Sequence, residues 1–402
     1  MKAHHHLHHL VILIGLLLTA VAGAQGPLPP PGAPAPTMKT LQELWDKLSA
    51  QQAAVHAASR QNSLILSALG ITLPWLFEDG PASSGPLSLA FDPDGRATVA
   101  YIETFGAIKL ARFDGASWTI TDVAPDNTGA HVISLAFGPD GRPGMAFKTW
   151  AGNLGYATHD GSAWQIETAD LRLIEEPALA FAPAGRPAIA HTILSSTSVV
   201  YSVRNGAVWT NITVDAGVSP ALAFGPDGQP AIAYAFGPWG GPNEIRLNRY
   251  DGTNWNATVA NNTPNAGSPK LAFSPAGDPA VSFYVWGNDL YFSQFDGTNW
   301  NPTVVDSSNP TAFSYFSLAF GPDGQPAIAY AYENGADFDL RFARFNGSWS
   351  TETVIGAGIA GYFASLAFGP DGQPSIACDR YDPGANSTQL ILARKGTFTT
   401  IP

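Results

Sequence analysis

Between Ser88 and Pro402 the chain writes nearly the same phrase seven times. An apolar strand ends in Leu-Ala-Phe, a Pro-Asp-Gly-type turn follows, and a second strand reads like Pro-Ala-Ile-Ala-Tyr. After a gap of variable length comes a strand ending at an Asp-Gly or Asn-Gly turn, then a fourth strand opened by Trp. The phenylalanines that end the first strands are Phe91, Phe137, Phe181, Phe224, Phe273, Phe320 and Phe368, so the period runs from 43 to 49 residues. Four short strands at that period are the signature of a β-propeller blade, and seven of them predict an all-β, seven-bladed propeller over 71–402.

Side-chain alternation says how such blades pack. In Ser317-Leu318-Ala319-Phe320 the large residues share one face of the strand and the small ones the other. A sheet that is bulky on one face and smooth on the other packs onto a copy of itself. The aromatics that open the fourth strands, Trp118, Trp164, Trp209, Trp255, Trp300 and Trp349, with Phe398 in the last repeat, are expected to pack between blades. Trp75-Leu76-Phe77 is a second candidate for an outer strand that closes the ring. Both Gly-dependent turns must fall on one face of the disc, because antiparallel strands alternate direction. The opposite face collects the variable loops, and a site-based function belongs there.

The N-terminal region reads differently. Residues 1–24 combine a Lys, a His-rich start, about 13 apolar residues from Leu10 to Ala22 and an Ala-Gly-Ala end. That is the pattern of a secretory signal peptide and is too short for a membrane span. Residues 25–37 are a Pro-rich spacer. Over 38–70 a helical stalk is expected, opened by the capping box Thr40-Leu41-Gln42-Glu43 and stopped at Gly70. Its heptad seam (Leu41, Leu44, Leu48, Val55, Ala58, Ile65, Leu69) is coiled-coil-like, with Asn62 at an a position, and predicts a homo-oligomer through 41–69. The expected location is secreted or cell-surface associated. Formal net charge −12 with 13% charged residues argues against nucleic acid as a partner, because phosphate binding needs clustered Lys and Arg. The single cysteine, Cys378, excludes an internal disulfide.

Candidate chemistry is sparse. The recurrent turn carboxylates Asp94, Asp140, Asp227, Asp323 and Asp371 invite a calcium reading. Each turn offers one carboxylate, and Ala184 and Ala276 replace it in two repeats, so a role in bonding the turn's own backbone accounts for them better. No cofactor and no metal are expected. His191 and Cys378 stand where strand two usually ends in Tyr or Phe, and sit in different blades; they read as core substitutions. The phrase Asp-Gly-x-x-Trp (Asp114–Trp118, Asp160–Trp164, Asp251–Trp255, Asp296–Trp300) distantly resembles the Asp-box turn of sialidase-type propellers. In that box a residue separates Asp from Gly, and a Ser or Thr precedes the Asp by two places; here only Thr158 fits. The early Phe-Arg-Ile-Pro element is absent, and Arg112, Arg249, Arg344 and Arg394 hold repeat-locked positions instead of a substrate triad. As a whole the repeat resembles those of secreted bacterial propeller proteins, a resemblance that covers 88–402 and implies architecture without catalytic residues.

What remains is the variable-loop face. It carries Trp150, Phe236, Trp239, Trp286, Tyr332 and Tyr381, with Glu103, Glu244, Glu333, Asp337 and Asp382 among them. Trp150, Phe236, Trp239, Trp286, Tyr332, Glu333 and Tyr381 are the candidate ligand-binding residues, since exposed rings stack on a glycan or protein while carboxylates accept hydrogen bonds. The competing expectation is that these rings only pack over the blade tops. Two functions follow: a non-enzymatic binding or structural propeller, or an extracellular polysaccharide hydrolase or lyase using acids of this face.

Overall fold

The structure is a computed structural model. It describes residues 74–396, apart from 104–105, 125–131, 238–243, 287–288, 309–315, 336, 357–358 and 383–385. The expected leader, spacer and stalk therefore lie outside the described residues, as do Trp239 and Phe398. Seven four-stranded antiparallel sheets follow one another along the chain. Blades 1 to 6 occupy 87–124, 133–170, 174–216, 218–261, 266–306 and 316–355. Blade 7 takes three strands from 359–395, and its outer strand is Trp75–Ala82, from the other end of the described chain. Trp75 pairs with Lys395 as Trp118 pairs with Phe113 and Trp349 with Phe345. Trp75 thus fills the strand-opening position for which Phe398 was the other candidate. Innermost strands touch their neighbours all the way round, the first blade meeting the seventh.

Each of the seven hydrophobic clusters straddles two adjacent blades, as bulky-on-smooth packing requires. At the closing interface Val99 and Tyr101 of blade 1 pack with Leu390 and Leu392 of blade 7. The strand-opening tryptophans are partly buried at these seams. Trp209 meets Tyr156 edge-on at 5.2 Å, and Trp255 on Tyr201, Trp349 on Phe292 and Trp75 on Phe342 repeat the contact at 5.3 Å. Nearer the axis, serine hydroxyls stitch inner strands together. The amides of Leu135, Leu179 and Leu89 donate to Ser88, Ser134 and Ser365 of the preceding blade.

The short turns behave as their sequence predicts. Asp140, Asp227, Asp323 and Asp371 each accept the amide two residues on, and Asp114, Asp160, Asp251 and Asp296 each cap the two amides of their own turn. The repeat-locked arginines anchor the first set. Arg249 pairs with Asp227 at 2.8 Å, Arg344 with Asp323 at 2.5 Å, and Arg394 with Asp371. Arg249 and Arg344 also lie over Phe273 and Phe368 of the following blade.

A polar motif is buried at the opposite end of the seams. The end of strand four faces the end of strand two in the next blade. At three interfaces an aspartate meets it, Asp170 with His191, Asp215 with Tyr234 and Asp306 with Tyr330, while Ala124 shares a cluster with Phe147 and Ile355 with Cys378. Three of the four strand-two residues that can donate give a hydrogen to an aspartate, Tyr234 at 2.5 Å, Tyr330 at 2.6 Å, and His191, with the hydrogen assigned to Nε2, at 3.2 Å, while Tyr101 of blade 1 meets no aspartate acceptor among the described residues. Where it is Phe or Cys, no carboxylate stands opposite. His191 and Cys378 are both fully buried and hold the register position of the aromatics. Burial lowers the His191 pKa against the pull of Asp170, so the ring is a neutral donor in the place of a tyrosine hydroxyl.

Two consequences are measurable. Trp75→Ala removes the ring that seats the closing strand, and should lower unfolding free energy by about 3 kcal/mol in urea titration; a change below about 0.5 kcal/mol would show that the strand does not hold the ring shut. Asp306→Ala leaves the buried Tyr330 hydroxyl unpaired and should cost about 2 kcal/mol, while adding Tyr330→Phe recreates the Phe147–Ala124 chemistry and should restore part of it. Strictly additive losses in that double-mutant cycle would refute the pairing rule.

Candidate functional site

The loop face is built from strand-two ends, their loops and the blade-to-blade connectors. Trp150 sits at the tip of a tight hairpin between Pro143–Lys148 and Leu154–His159. The amide of Gly152 donates to the Thr149 carbonyl at 2.8 Å, and that of Asn153 to the Thr149 hydroxyl at 3.1 Å. Gly152 adopts φ +83°, and a Cβ there would meet Leu173 at 2.8 Å, so the turn needs glycine. The indole is 76% exposed. The hairpin is tied to the connector into blade 3, because the Ile174 amide donates to the Gly152 carbonyl and the Asn153 side chain to that of Leu171. The Leu194 amide in turn reaches the Leu173 carbonyl. Leu171, Leu173 and Leu194 are all exposed, Leu171 at 80%, so Trp150 belongs to an apolar patch across blades 2 and 3.

Trp286 is the second highly exposed indole, at 62%, in blade 5, its amide held by the Asn265 carbonyl. It lies on the same face as Trp150 but three blades along the chain. Phe236 and Tyr332 are engaged differently. The Arg246 guanidinium stacks 3.2 Å from the Phe236 centroid, and Arg341 lies at the same distance from Tyr332. Arg246 is held by Glu244 and Asp215, and Arg341 by Asp306 and Ser308. One face of each ring is thus covered by an arginine that also reaches the aspartate of the seam. Glu333 is half-buried beside Tyr332, and Tyr381 donates its hydroxyl to Asn386 at 2.9 Å. The expected residues are therefore dispersed over blades 2, 4, 5, 6 and 7, and no single cleft gathers them.

Two carboxylate pairs on this face share a cation. Lys109 bridges Glu103 and Asp122, and Arg246 bridges Glu244 and Asp215. A different acid lies under the loops of blade 7. Asp379 is buried, receives the Ser83 hydroxyl at 2.6 Å from the end of the closing strand, and has its pKa pushed up to about 7 by burial, with the Ser83 hydrogen bond pulling the other way. Among the described residues, no group of three or more His, Cys, Asp or Glu is placed to hold a metal ion.

The axis of the ring holds a cavity of about 600 Å³, lined by the inner strand of every blade. Lys270 and Glu176 face it, and neither is among the residues expected from the sequence. A signal for Lys270 was present: six repeats carry Ser or Ala before Leu-Ala or Leu-Ala-Phe, whereas the fifth reads Lys270-Leu271-Ala272-Phe273.

The class defined by these features is a seven-bladed propeller with an open axis and one variable face. No protein-family model matches the chain, and no curated protein sequence does. Among solved structures, its fold is similar to that of a lectin from Burkholderia pseudomallei, at 11% identity and a TM-score of 0.60, over 80% of this chain and 100% of that one. It is similar to a protein of unknown function from Dyadobacter fermentans, at 12% identity and 0.53, over 81% and 98%. It is also similar to the fucose-specific lectin from Aleuria aurantia, at 15% identity and 0.50, over 68% and 97%. At such identities the likeness is one of fold.

Asp379 makes stability pH-dependent with a defined sign. Its folded pKa lies above the ordinary carboxylate value, so between about pH 4 and 7 the folded protein binds a proton that the unfolded chain has released. Its contribution is therefore fully present at low pH and is lost as pH rises through that window. Asp379→Asn should flatten this part of the stability profile and raise stability at pH 8 by on the order of 2 kcal/mol. Equal stability of variant and parent at pH 8 would mean that the carboxyl ionises without cost.

Proposed function

We propose that this protein is a non-enzymatic, carbohydrate-binding propeller whose glycan sits on the variable-loop face. The observation that carries the reading is Trp150, an indole 76% exposed at the tip of a glycine-locked hairpin, with Leu171, Leu173 and Leu194 exposed around it. A rigid, exposed indole stacks on the C–H face of a sugar ring, and adjoining aliphatic groups favour a sugar with methyl or acetyl substituents. Trp286 offers a second platform on the same face. Two of the solved structures with a similar fold are lectins, one of them fucose-specific, which supports carbohydrate as the ligand class.

Hydrolysis is the less supported reading. It needs one acid held protonated and a second carboxylate across a cleft. The pairs Glu103–Asp122 and Glu244–Asp215 are instead each bridged by a cation, Lys109 and Arg246, and Asp379, whose pKa is raised, is buried under Ser83.

Residues 1–24 would direct export, and the 38–70 seam would join several rings, so that weak sites add through avidity. The test is a glycan array probed with the protein lacking 1–24. Binding to at least one glycan is expected, weakened about tenfold by Trp150→Ala with an unchanged melting temperature, equivalent to roughly 1.4 kcal/mol of lost stacking. An array without a hit, or a Trp150→Ala variant that binds as its parent does, would reject the proposal. Deleting 38–70 should turn an oligomer into a monomer by light scattering and lower the apparent affinity on a dense glycan surface. A monomer with 38–70 intact would remove the stalk from the account.

A further inference from the structure

The axial cavity is faced by one basic and one acidic side chain, Lys270 and Glu176, that do not pair with each other. Lys270 occupies the register position taken by Ser88, Ser134, Ser317 and Ser365 in four other blades, and its side chain enters the channel. Its ammonium lies 5.4 Å from the Phe316 ring of the next blade and makes no hydrogen bond or ion pair among the described residues. Glu176 occupies the position that Ser219 and Ser268 take in blades 4 and 5. All three have left-handed backbones, with φ of 51°, 55° and 50°. The Glu176 Oε2 is buried without a hydrogen-bond partner. Its neighbour Glu175 also lines the cavity but is neutralised by Lys148.

Buried polar groups are nearly always partnered, and an isolated buried charge is costlier than an isolated dipole. Here one cation and one carboxylate face the same cavity without pairing to each other. Burial shifts both toward their neutral forms, raising the Glu176 pKa against a hydrogen bond from the Ser219 side chain and the Lys270 charge, and lowering the Lys270 pKa against the Glu176 charge. A ligand that carries one negative and one positive group would satisfy both while leaving the site electrically neutral. The cavity has room for a small molecule, and its wall adds serine hydroxyls and the Phe316 ring.

We propose that the axial channel binds a small zwitterion, the chemistry of a free amino acid or short peptide, with the ligand carboxylate on Lys270 and its ammonium on Glu176. The site is separate from the glycan face and does not depend on it. The protein's own repeats supply conservative variants: Lys270→Ser recreates the residue of four sister blades, and Glu176→Ser that of Ser219 and Ser268.

Calorimetric titration of the full chain with the common amino acids and a set of dipeptides tests this, with acetate, ethylammonium and glucose as controls. At least one zwitterion should bind saturably and raise the melting temperature, amino acids against dipeptides showing which length fits. Affinity should fall tenfold or more in Lys270→Ser and in Glu176→Ser, and stay unchanged in Trp150→Ala. No saturable binding at millimolar zwitterion would overturn the proposal, as would binding that survives both serine variants. Acetate bound as tightly as any amino acid would replace it with a simple anion site. Loss of zwitterion binding in Trp150→Ala would move the site to the loop face.

Discussion

The hydrogen bonds between Trp75–Ala82 and Ser387–Lys395 tie the start of the described chain to its end, and every blade interface depends on them. Each blade buries its bulky face on the smooth face of a neighbour. An open row of seven would leave one bulky and one smooth face in water. Closing the row removes both, and completing the last blade with a strand from the other end makes closure part of the secondary structure. Trp75 adds the indole that every other seam already has, edge-on to Phe342. Loss of one interface then strains the rest, which favours cooperative unfolding of the ring.

Within that constraint the seams exchange chemistry without changing shape. At three seams a tyrosine or histidine at the end of strand two donates to an aspartate, whereas Phe147 packs in one cluster with Ala124 and Cys378 in one with Ile355. Desolvation accounts for these three pairs: a buried hydroxyl without an acceptor is expensive, and so is a desolvated carboxylate without a donor. In blades 4 and 6 the same aspartates hold Arg246 and Arg341, which rise over Phe236 and Tyr332 at the loop face. The interior polar pairs thereby fix part of the surface on which a ligand would land.

Both proposed sites fall where the repeat departs from itself. The short-turn face is held by glycine turns, self-capping aspartates and Arg–Asp pairs, and has little freedom to vary. The loop face varies in length and exposes Trp150 and Trp286, and the axis breaks the serine pattern with Lys270. A ring of equivalent blades converges seven inner strands on one cavity, so a single substitution there gives an otherwise symmetric wall a direction.

The blades were legible because their cues are local. The alternation Ser317-Leu318-Ala319-Phe320 sets which face is buried, and Pro-Asp-Gly sets where the chain reverses, each within about ten residues. The loop face followed from strand direction alone, and so did the candidates Trp150 and Trp286. Other features required the folded ring. Both Trp75 and Phe398 carry a strand-opening aromatic, and pairing with Lys395 selects Trp75. Arg112, Arg249, Arg344 and Arg394 are visibly repeat-locked, but their aspartate partners lie two strands away. His191 and Cys378 stand out as departures, yet what stands opposite each, Asp170 or Ile355, comes from another blade. Phe236 and Tyr332 read as open rings until Arg246 and Arg341 fold over them. Local periodicity and turn chemistry are written along the chain, whereas partners on different strands or in different blades meet only once the blades have folded and packed into the ring.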